Sequence, residues 1–111
     1  MTADENETGA GEITVRRNDD AGRYEVRVGD VLAGFTEFTP DPRGRLRFPH
    51  TEVDPAFRGR GLAQIVVAEA MADEARRGET VVPLCPVVVK YLREHDVPGL
   101  DVHWPSRVTV E

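Results

Sequence analysis

The stretch Arg58-Gly59-Arg60-Gly61-Leu62-Ala63 marks the point where the hydrophobic pattern of the chain changes from strand to helix. After it, the apolar residues from Leu62 to Met71 predict a long helix, which Gly78 is well placed to stop. Glycines let the backbone approach a ligand closely, and the first amides of a helix have no internal acceptors. Beside two arginines, this arrangement predicts a phosphate or diphosphate site, although the same spacing fits equally well a plain turn before a helix.

Three short alternating segments near the start of the chain predict strands, at residues 13–17, 24–28 and 31–39. Turn residues separate these segments, so the three strands are expected to form an antiparallel meander. We interpret residues 1–12, which are acidic and polar without apolar periodicity, as a disordered tail, and 13–111 as a single domain.

A fourth strand is predicted immediately before the glycine-containing stretch. Alternation places Leu46, Phe48, His50 and Glu52 on one face of it, and Pro49 is expected to cause a bulge or a missing ladder hydrogen bond. After the long helix, residues 80–84 form a short apolar run typical of a buried strand, which should pair parallel to the fourth strand.

Pro86 fits the first turn of a second helix, which ends near residue 96. The last residues can form an edge strand or a packed tail. The predicted fold class is therefore α/β (α+β), with an antiparallel N-terminal meander followed by a β-α-β-α unit in one mixed sheet.

The composition restricts the classes of partner. The chain has 111 residues and a formal charge of −6, which disfavours nucleic acid, while a local arginine cluster suits a small anion. The longest apolar run is too short to cross a membrane, and the acidic N-terminus is unlike a secretory signal, so a cytoplasmic location is expected. We expect a monomer or weak homodimer. One cysteine, and histidines without ligand spacing, predict no metal site.

A family resemblance rests on three segments in order. Arg58, Gly61 and Ala63 match the arginine/glutamine–x–x–glycine–x–glycine/alanine signature of the GCN5-related N-acetyltransferases. The flanking runs His50-Thr51-Glu52-Val53 and Pro83-Leu84-Cys85-Pro86 resemble a minimal subfamily typified by the small N-acetyltransferase-domain-containing proteins. The resemblance covers roughly residues 24–95.

This resemblance implies acetyl-coenzyme A as the cofactor, bound across splayed fourth and fifth strands. Backbone amides of Arg58, Gly59, Arg60, Gly61, Leu62 and Ala63 would hold the diphosphate. The backbone near Val53 would pair with the pantetheine arm. A coenzyme A diphosphate agrees with the anion site argued above from the residues alone.

Four side chains are candidates for acetyl transfer to an amine. His50 or Glu52 can act as the general base; a histidine exchanges protons near neutral pH without help, whereas a glutamate needs burial to do so. The resemblance places Tyr91 as the general acid toward the coenzyme A thiolate. Cys85 lies before a helix N-terminus, which favours a thiolate that can accept the acetyl group. Each of these residues also has a plain structural interpretation, as a solvated or packed side chain.

Three functions remain open from the sequence. The first is an acetyltransferase acting on a small-molecule or protein amine, the second a non-catalytic acyl-coenzyme A sensor, and the third an interaction module without ligand. Members of the wider family usually have two further strands after the last helix. Here about 15 residues follow Asp96, so the acceptor site is expected to be shallow, open or completed by another chain.

Overall fold

The computed structural model describes residues 11–105 and contains six strands and two α-helices in the predicted order. The elements are β1 (Ile13–Asn18), β2 (Arg23–Val28), β3 (Val31–Pro40), β4 (Leu46–Val53), α1 (Leu62–Arg77), β5 (Thr80–Pro83), α2 (Pro86–Glu94) and β6 (Asp101–Val102). A short 3-10 helix, Pro55–Phe57, precedes α1.

All six strands form one mixed sheet in the order β1-β2-β3-β4-β5-β6. The first four strands are antiparallel, and β4, β5 and β6 are parallel. The predicted meander, the parallel pairing across α1 and the fold class are confirmed. The C-terminal segment forms an edge strand, one of its two predicted alternatives, because Thr80 and Val81 pair with Asp101 and Val102.

The core lies between the sheet and the two helices. Helix α1 packs along β1 to β4, and α2 packs against α1, β4 and β5. The sheet contributes Tyr24, Val26, Phe48 and Val81 among others, and the helices contribute Leu62, Val66, Val67, Ala70, Met71 and Val88, all of them buried. Burial of this apolar surface is the main favourable term in folding.

Strand β4 contains the bulge that Pro49 predicts, and the bulge overturns our prediction of its faces. Glu37 pairs with His50 while Thr39 pairs with Arg47, so β4 has one residue more than β3 between these pairs. The extra residue reverses the alternation: Phe48 is buried, whereas His50 and Glu52 are exposed. The prediction that all four alternate residues share one face is therefore wrong beyond Phe48.

Strands β4 and β5 separate soon after they meet. Their ladder joins Leu46, Arg47 and Phe48 to Val81, Val82 and Pro83, and β4 then continues to Val53 while β5 ends. At the point of separation the amides of Leu84 and Cys85 both donate to the carbonyl of Phe48, at 3.2 and 3.0 Å. The splayed strands expected from the family resemblance are present at this position.

The ends of the domain are partly described. Residues 1–10 of the predicted tail lie outside the described residues, while the carbonyl of Glu12 accepts a hydrogen bond of 2.8 Å from the amide of Gly29. Neither α-helix in the described part of the chain has the length and apolar character that crossing a membrane requires.

Candidate functional site

The loop before α1 has the backbone geometry of an anion cradle. Gly59 and Gly61 have φ values of 83° and 74°, in the left-handed region that side chains other than glycine rarely adopt. A Cβ atom built at either position would meet no protein atom within 4 Å. Within residues 11–105 neither amide donates a hydrogen bond. The two glycines therefore leave open space next to exposed backbone.

The N-terminus of α1 faces this space without a capping side chain. Gly61 is the N-cap residue, and the first intrahelical hydrogen bond runs from the amide of Ile65 to the carbonyl of Gly61 at 3.1 Å. The amides of Leu62, Ala63 and Gln64 consequently have no intrahelical acceptor, and the positive end of the helix dipole adds to their attraction for an anion. A diphosphate fits a site of this donor chemistry.

The two arginines of the loop differ in their surroundings. The side chain of Arg58 is exposed and forms no ion pair with any residue in the described range. The guanidinium of Arg60 lies 5.2 Å from the ring centroid of Phe57, at the end of the 3-10 helix. Arg58 can therefore turn toward a bound anion without breaking an existing ion pair.

A cavity of about 260 Å³ opens between this loop and helix α2. Its walls are mainly apolar, and they are formed by Gly61, Ala63, Gln64, Val87, Lys90, Tyr91 and Glu94. The structure thus brings Tyr91 to the same cavity as the glycine loop. Sequence reasoning missed Gln64, Val87, Lys90 and Glu94, because the side of α2 that faces the loop depends on how the two helices pack.

Tyr91 is half-buried and packs against His95, which lies one helical turn closer to the C-terminus. Its ring stacks on that of His95, with centroids 4.2 Å apart, and His95 Nδ1 lies 3.0 Å from the Tyr91 carbonyl oxygen. In the described part of the chain the phenolic hydroxyl makes no hydrogen bond. The stacked imidazole fixes the ring while leaving the hydroxyl available as a proton donor.

Cys85 is buried where β4 and β5 separate, as the N-cap residue of α2. Its thiol donates a hydrogen bond to Thr51 Oγ1 at 3.3 Å, and Thr51 Oγ1 lies 2.8 Å from Thr36 Oγ1. This chain of polar groups links β3 and β4 of the sheet to the N-terminus of α2. The position of Cys85 before the helix was predictable from the sequence, but its contact with Thr51 and Thr36 was not, since only the bulge turns Thr51 toward the thiol.

His50 and Glu52 form a pair on the exposed side of β4. His50 Nε2 lies 3.0 Å from Glu52 Oε1, and the His50 ring is 6.0 Å from that of Phe35. The two side chains are 52% and 60% exposed, so Glu52 lacks the burial that a glutamate base needs. Because of the bulge they lie on the opposite face of β4 from Thr51 and Cys85.

Val53, the expected pantetheine contact, ends β4 and pairs with Gly34 of β3. A Cβ at Gly34 would lie 2.6 Å from the carbonyl oxygen of Glu52, so a glycine is required for β3 to approach β4 this closely. Gly34 therefore allows β3 to lie close against the end of β4.

A second polar cluster, which sequence reasoning missed, lies near the C-terminal end of α1. Arg17 Nη1 donates to Tyr24 Oη at 2.9 Å and pairs with Glu74 Oε2 at 3.1 Å. Tyr24 Oη in turn donates to Asp73 Oδ2 at 2.6 Å. We call Arg17, Tyr24, Asp73 and Glu74 the buried clamp, because they join β1 and β2 to the helix.

Burial is the largest single influence on the pKa values of Glu74, Tyr24 and Asp73, although hydrogen bonds together outweigh it at Asp73. Burial raises the pKa of Glu74, against the pull of the Arg17 guanidinium. Burial also raises the pKa of Tyr24, and the hydrogen bond to Asp73 adds to this effect. At Asp73 burial acts in the same upward direction, but the hydrogen bonds from Tyr24 and Arg77 outweigh it and lower the pKa.

Comparisons with known proteins bear on the family and the fold of the chain. The family described as GCN5-related N-acetyl-transferase matches residues 23–99, which include the loop, Cys85 and Tyr91. Among solved structures, the chain is similar to a ribosomal-protein-alanine N-acetyltransferase from Brucella melitensis biovar Abortus 2308. The TM-score is 0.53 at 21% identity, over 80% of this chain and 68% of that chain, a likeness that shows the fold. No curated protein matches the sequence.

Proposed function

The chain belongs to the GCN5-related N-acetyltransferase family, and we propose that it transfers an acetyl group from acetyl-coenzyme A to the amine of an acceptor. The observation that carries this proposal is the loop at the start of α1. Two left-handed glycines with open space beside them adjoin an uncapped helix N-terminus, and the cavity next to them is lined by Tyr91. A helix N-terminus of this kind favours a diphosphate.

In this proposal the loop binds and orients the cofactor. The amides of Gly59, Gly61, Leu62 and Ala63 hold the diphosphate, and Arg58 adds a charge-assisted hydrogen bond. The exposed end of β4 near Val53 pairs with the pantetheine arm where β5 has turned away. Acetyl-coenzyme A, when bound, supplies the acetyl group in activated form as a thioester.

The chain's own residues then move two protons. His50, held by Glu52, takes a proton from the acceptor amine on the exposed face of β4. Tyr91, whose hydroxyl is unbonded within the described residues, gives a proton to the departing thiolate. The exposed position of His50 and Glu52 favours an acceptor that approaches from solvent, such as an extended amine or a protein amine.

Cys85 has one of two roles in this scheme. As a nucleophile, its sulfur forms a bond to the acetyl carbon while the thioester C–S bond breaks, Tyr91 protonates the thiolate that leaves, and the proton of the Cys85 thiol replaces the one that Tyr91 gave up. The acceptor amine then attacks the acetyl carbon, and the bond to the Cys85 sulfur breaks as that sulfur takes back a proton. As a packing residue, its thiol closes the end of the splayed strands through the hydrogen bond to Thr51. In that second case the amine attacks the acetyl group directly.

Calorimetry and an assay of thiol release test the proposal together. We expect the wild-type protein to bind coenzyme A, and to release free thiol from acetyl-coenzyme A when a suitable amine is present. The double variant Arg58→Ala, Gly61→Val should bind about 100-fold more weakly or not at all, because it removes a cation and fills the cradle. Retention of wild-type affinity by this variant would show that the loop assignment is wrong.

Two further measurements separate the alternatives. Binding of coenzyme A without acetyl transfer to any amine in a panel of small amines and N-terminal peptides would favour a sensor over an enzyme. Mass spectrometry of protein mixed with acetyl-coenzyme A tests Cys85. A mass increase of one acetyl group that is absent in Cys85→Ala assigns the nucleophilic role, and an unmodified Cys85 at all times assigns the packing role.

A further inference from the structure

Lys90 occupies an unusual position in this chain. Of the 14 lysines and arginines, it is the only lysine, and it lies on the wall of the cavity between the loop and α2. Among the described residues that line this cavity, it is also the only one with a positive charge. Its Nζ lies 2.8 Å from Oε2 of Glu94, one helical turn further on.

The stability of α2 does not explain this ion pair. Lys90 precedes Glu94, and the opposite order is the one that stabilises helices better at this spacing. Glu94 is the last residue of α2, where the negative end of the helix dipole disfavours a carboxylate. Both side chains are exposed, at 71% and 52%, and exposed pairs contribute little to folding.

The location of the pair is better explained by the cofactor. Gly61 and Ala63, on the opposite wall, belong to the loop that would hold a diphosphate, so an anion bound there faces both members of the pair. It repels the Glu94 carboxylate and attracts the Lys90 ammonium. The bond between the two side chains must therefore weaken as the anion arrives.

The choice of lysine is also consistent with an exchange of partners. An arginine at this position would bind the carboxylate through two parallel hydrogen bonds in a planar arrangement. Both bonds would have to break before the arginine could contact another anion. Lysine carries a compact charge on a flexible stem and can swing between two acceptors.

We propose that Lys90 is a further cofactor-binding residue, whose ammonium group moves away from Glu94 and contacts a phosphate group of coenzyme A. Glu94 limits the affinity, because its carboxylate competes with that phosphate for the Lys90 ammonium. This inference rests on the proposed function. The inference adds a specificity determinant on α2, remote in sequence from the loop, to that function.

Calorimetry on four proteins tests the exchange: wild type, Lys90→Met, Glu94→Gln and the double variant. We expect Lys90→Met to bind coenzyme A about 10-fold more weakly. Glu94→Gln should bind about threefold more tightly, because the lysine no longer has a competing partner. The double variant should lose most of that gain and bind nearly as weakly as Lys90→Met, since without the lysine only the repulsion between Glu94 and the anion is left to remove.

Dephospho-coenzyme A and 4′-phosphopantetheine identify the phosphate concerned. If Lys90 contacts the diphosphate, Lys90→Met weakens the binding of dephospho-coenzyme A as much as the binding of coenzyme A. If it contacts the 3′-phosphate, the variant binds dephospho-coenzyme A as well as the wild type does. Either pattern supports the proposal, whereas an unchanged affinity of Lys90→Met for all three ligands overturns it.

Arg93→Met is the matched control. It removes one positive charge from the same helix at a side chain outside the cavity, 5.7 Å from the Trp104 ring, and should leave affinity unchanged. An equal loss in Arg93→Met, or a Glu94→Gln gain of the same size with and without Lys90, would mean that net charge alone sets the affinity. If wild-type protein binds no coenzyme A, the proposed function fails, and a failure confined to the variants concerns Lys90 only.

Discussion

The two ends of helix α1 differ in whether their polar groups are paired within the protein. At the C-terminal end, the buried clamp pairs every charged group: Glu74 is fully buried against Arg17, and Tyr24 bonds Asp73 at 2.6 Å. Gly78 closes the helix there by donating its amide to the carbonyls of Glu74 and Ala75. At the N-terminal end, Gly61 provides no side-chain cap and the first amides of the helix are left open.

This difference suggests a separate role for each end of the helix: the paired groups at the C-terminal end contribute to stability, and the open amides at the N-terminal end are available to a ligand. Polar groups that are buried and satisfied hold the sheet against the helix, because leaving one of them unpaired costs free energy. Groups left unsatisfied at an accessible helix end bind a ligand instead. We therefore expect substitutions in the clamp to change the free energy of unfolding and substitutions in the loop to change affinity for coenzyme A.

The largest effect is expected from Arg17→Met. The variant leaves the buried Glu74 carboxylate without its cation, which should lower the free energy of unfolding by about 3 kcal/mol. Urea denaturation measures this change. Arg16→Met, on the neighbouring exposed residue, should cost less than about 0.5 kcal/mol. A loss below about 1 kcal/mol for Arg17→Met would contradict the assignment of a clamp.

A pair of glycine substitutions compares the two helix ends directly. Gly61→Ala and Gly78→Ala each place a Cβ on a residue with φ above 70°, so each should cost about 1–2 kcal/mol of stability. Only Gly61→Ala should also weaken coenzyme A binding, by about 10-fold or more. Calorimetry on folded protein checks this, and equal affinities of the two variants would remove the functional distinction between the ends.

Thr51→Val tests the polar chain beside Cys85, which is satisfied like the clamp but adjoins the proposed site. The change leaves the hydroxyl of Thr36, a fully buried residue, without its partner and should cost about 1 kcal/mol. Thr39→Val, on the exposed end of β3, is the control and should be nearly neutral. Thermal unfolding of both variants gives the comparison, and indistinguishable stabilities would rule out a structural role for the hydroxyl.

The smallest effect is a pH dependence of the clamp. Burial raises the folded-state pKa of Glu74 above its ordinary value of 4.5, so the ionised form is the costly one in the fold. The contribution of Glu74 to stability should therefore increase as the pH falls from 7 toward 4.5 and level off below that value. Glu25, Asp41 and Asp73, whose pKa values are lowered, act in the opposite direction at acid pH.

Glu74→Gln lacks this titration and supplies the reference. It should be slightly more stable than the wild type at pH 7, by less than about 1 kcal/mol, and the difference should vanish near pH 4. Denaturation of both proteins at a series of pH values measures it. A difference that grows on acidification would mean that Arg17 lowers the pKa of Glu74 more than burial raises it.

Local patterns in the sequence were sufficient for most of the fold. Alternating residues predicted the first strands, glycines predicted both ends of α1, and Pro86 predicted the start of α2, because each of these signals depends on backbone geometry within a few residues. The loop from Arg58 to Ala63 was predictable for the same reason. It is a contiguous backbone feature with its own signature.

What the tertiary structure alone decided is which side chains meet. One inserted residue at the Pro49 bulge turned Thr51 toward Cys85 and carried His50 and Glu52 to the exposed face, which strict alternation could not anticipate. The partnership of Arg17 with Glu74, 57 residues apart, and the position of Lys90 opposite Gly61 arise from the packing of α1 on the sheet and on α2. Such contacts depend on distances across the whole domain, which local sequence patterns do not encode.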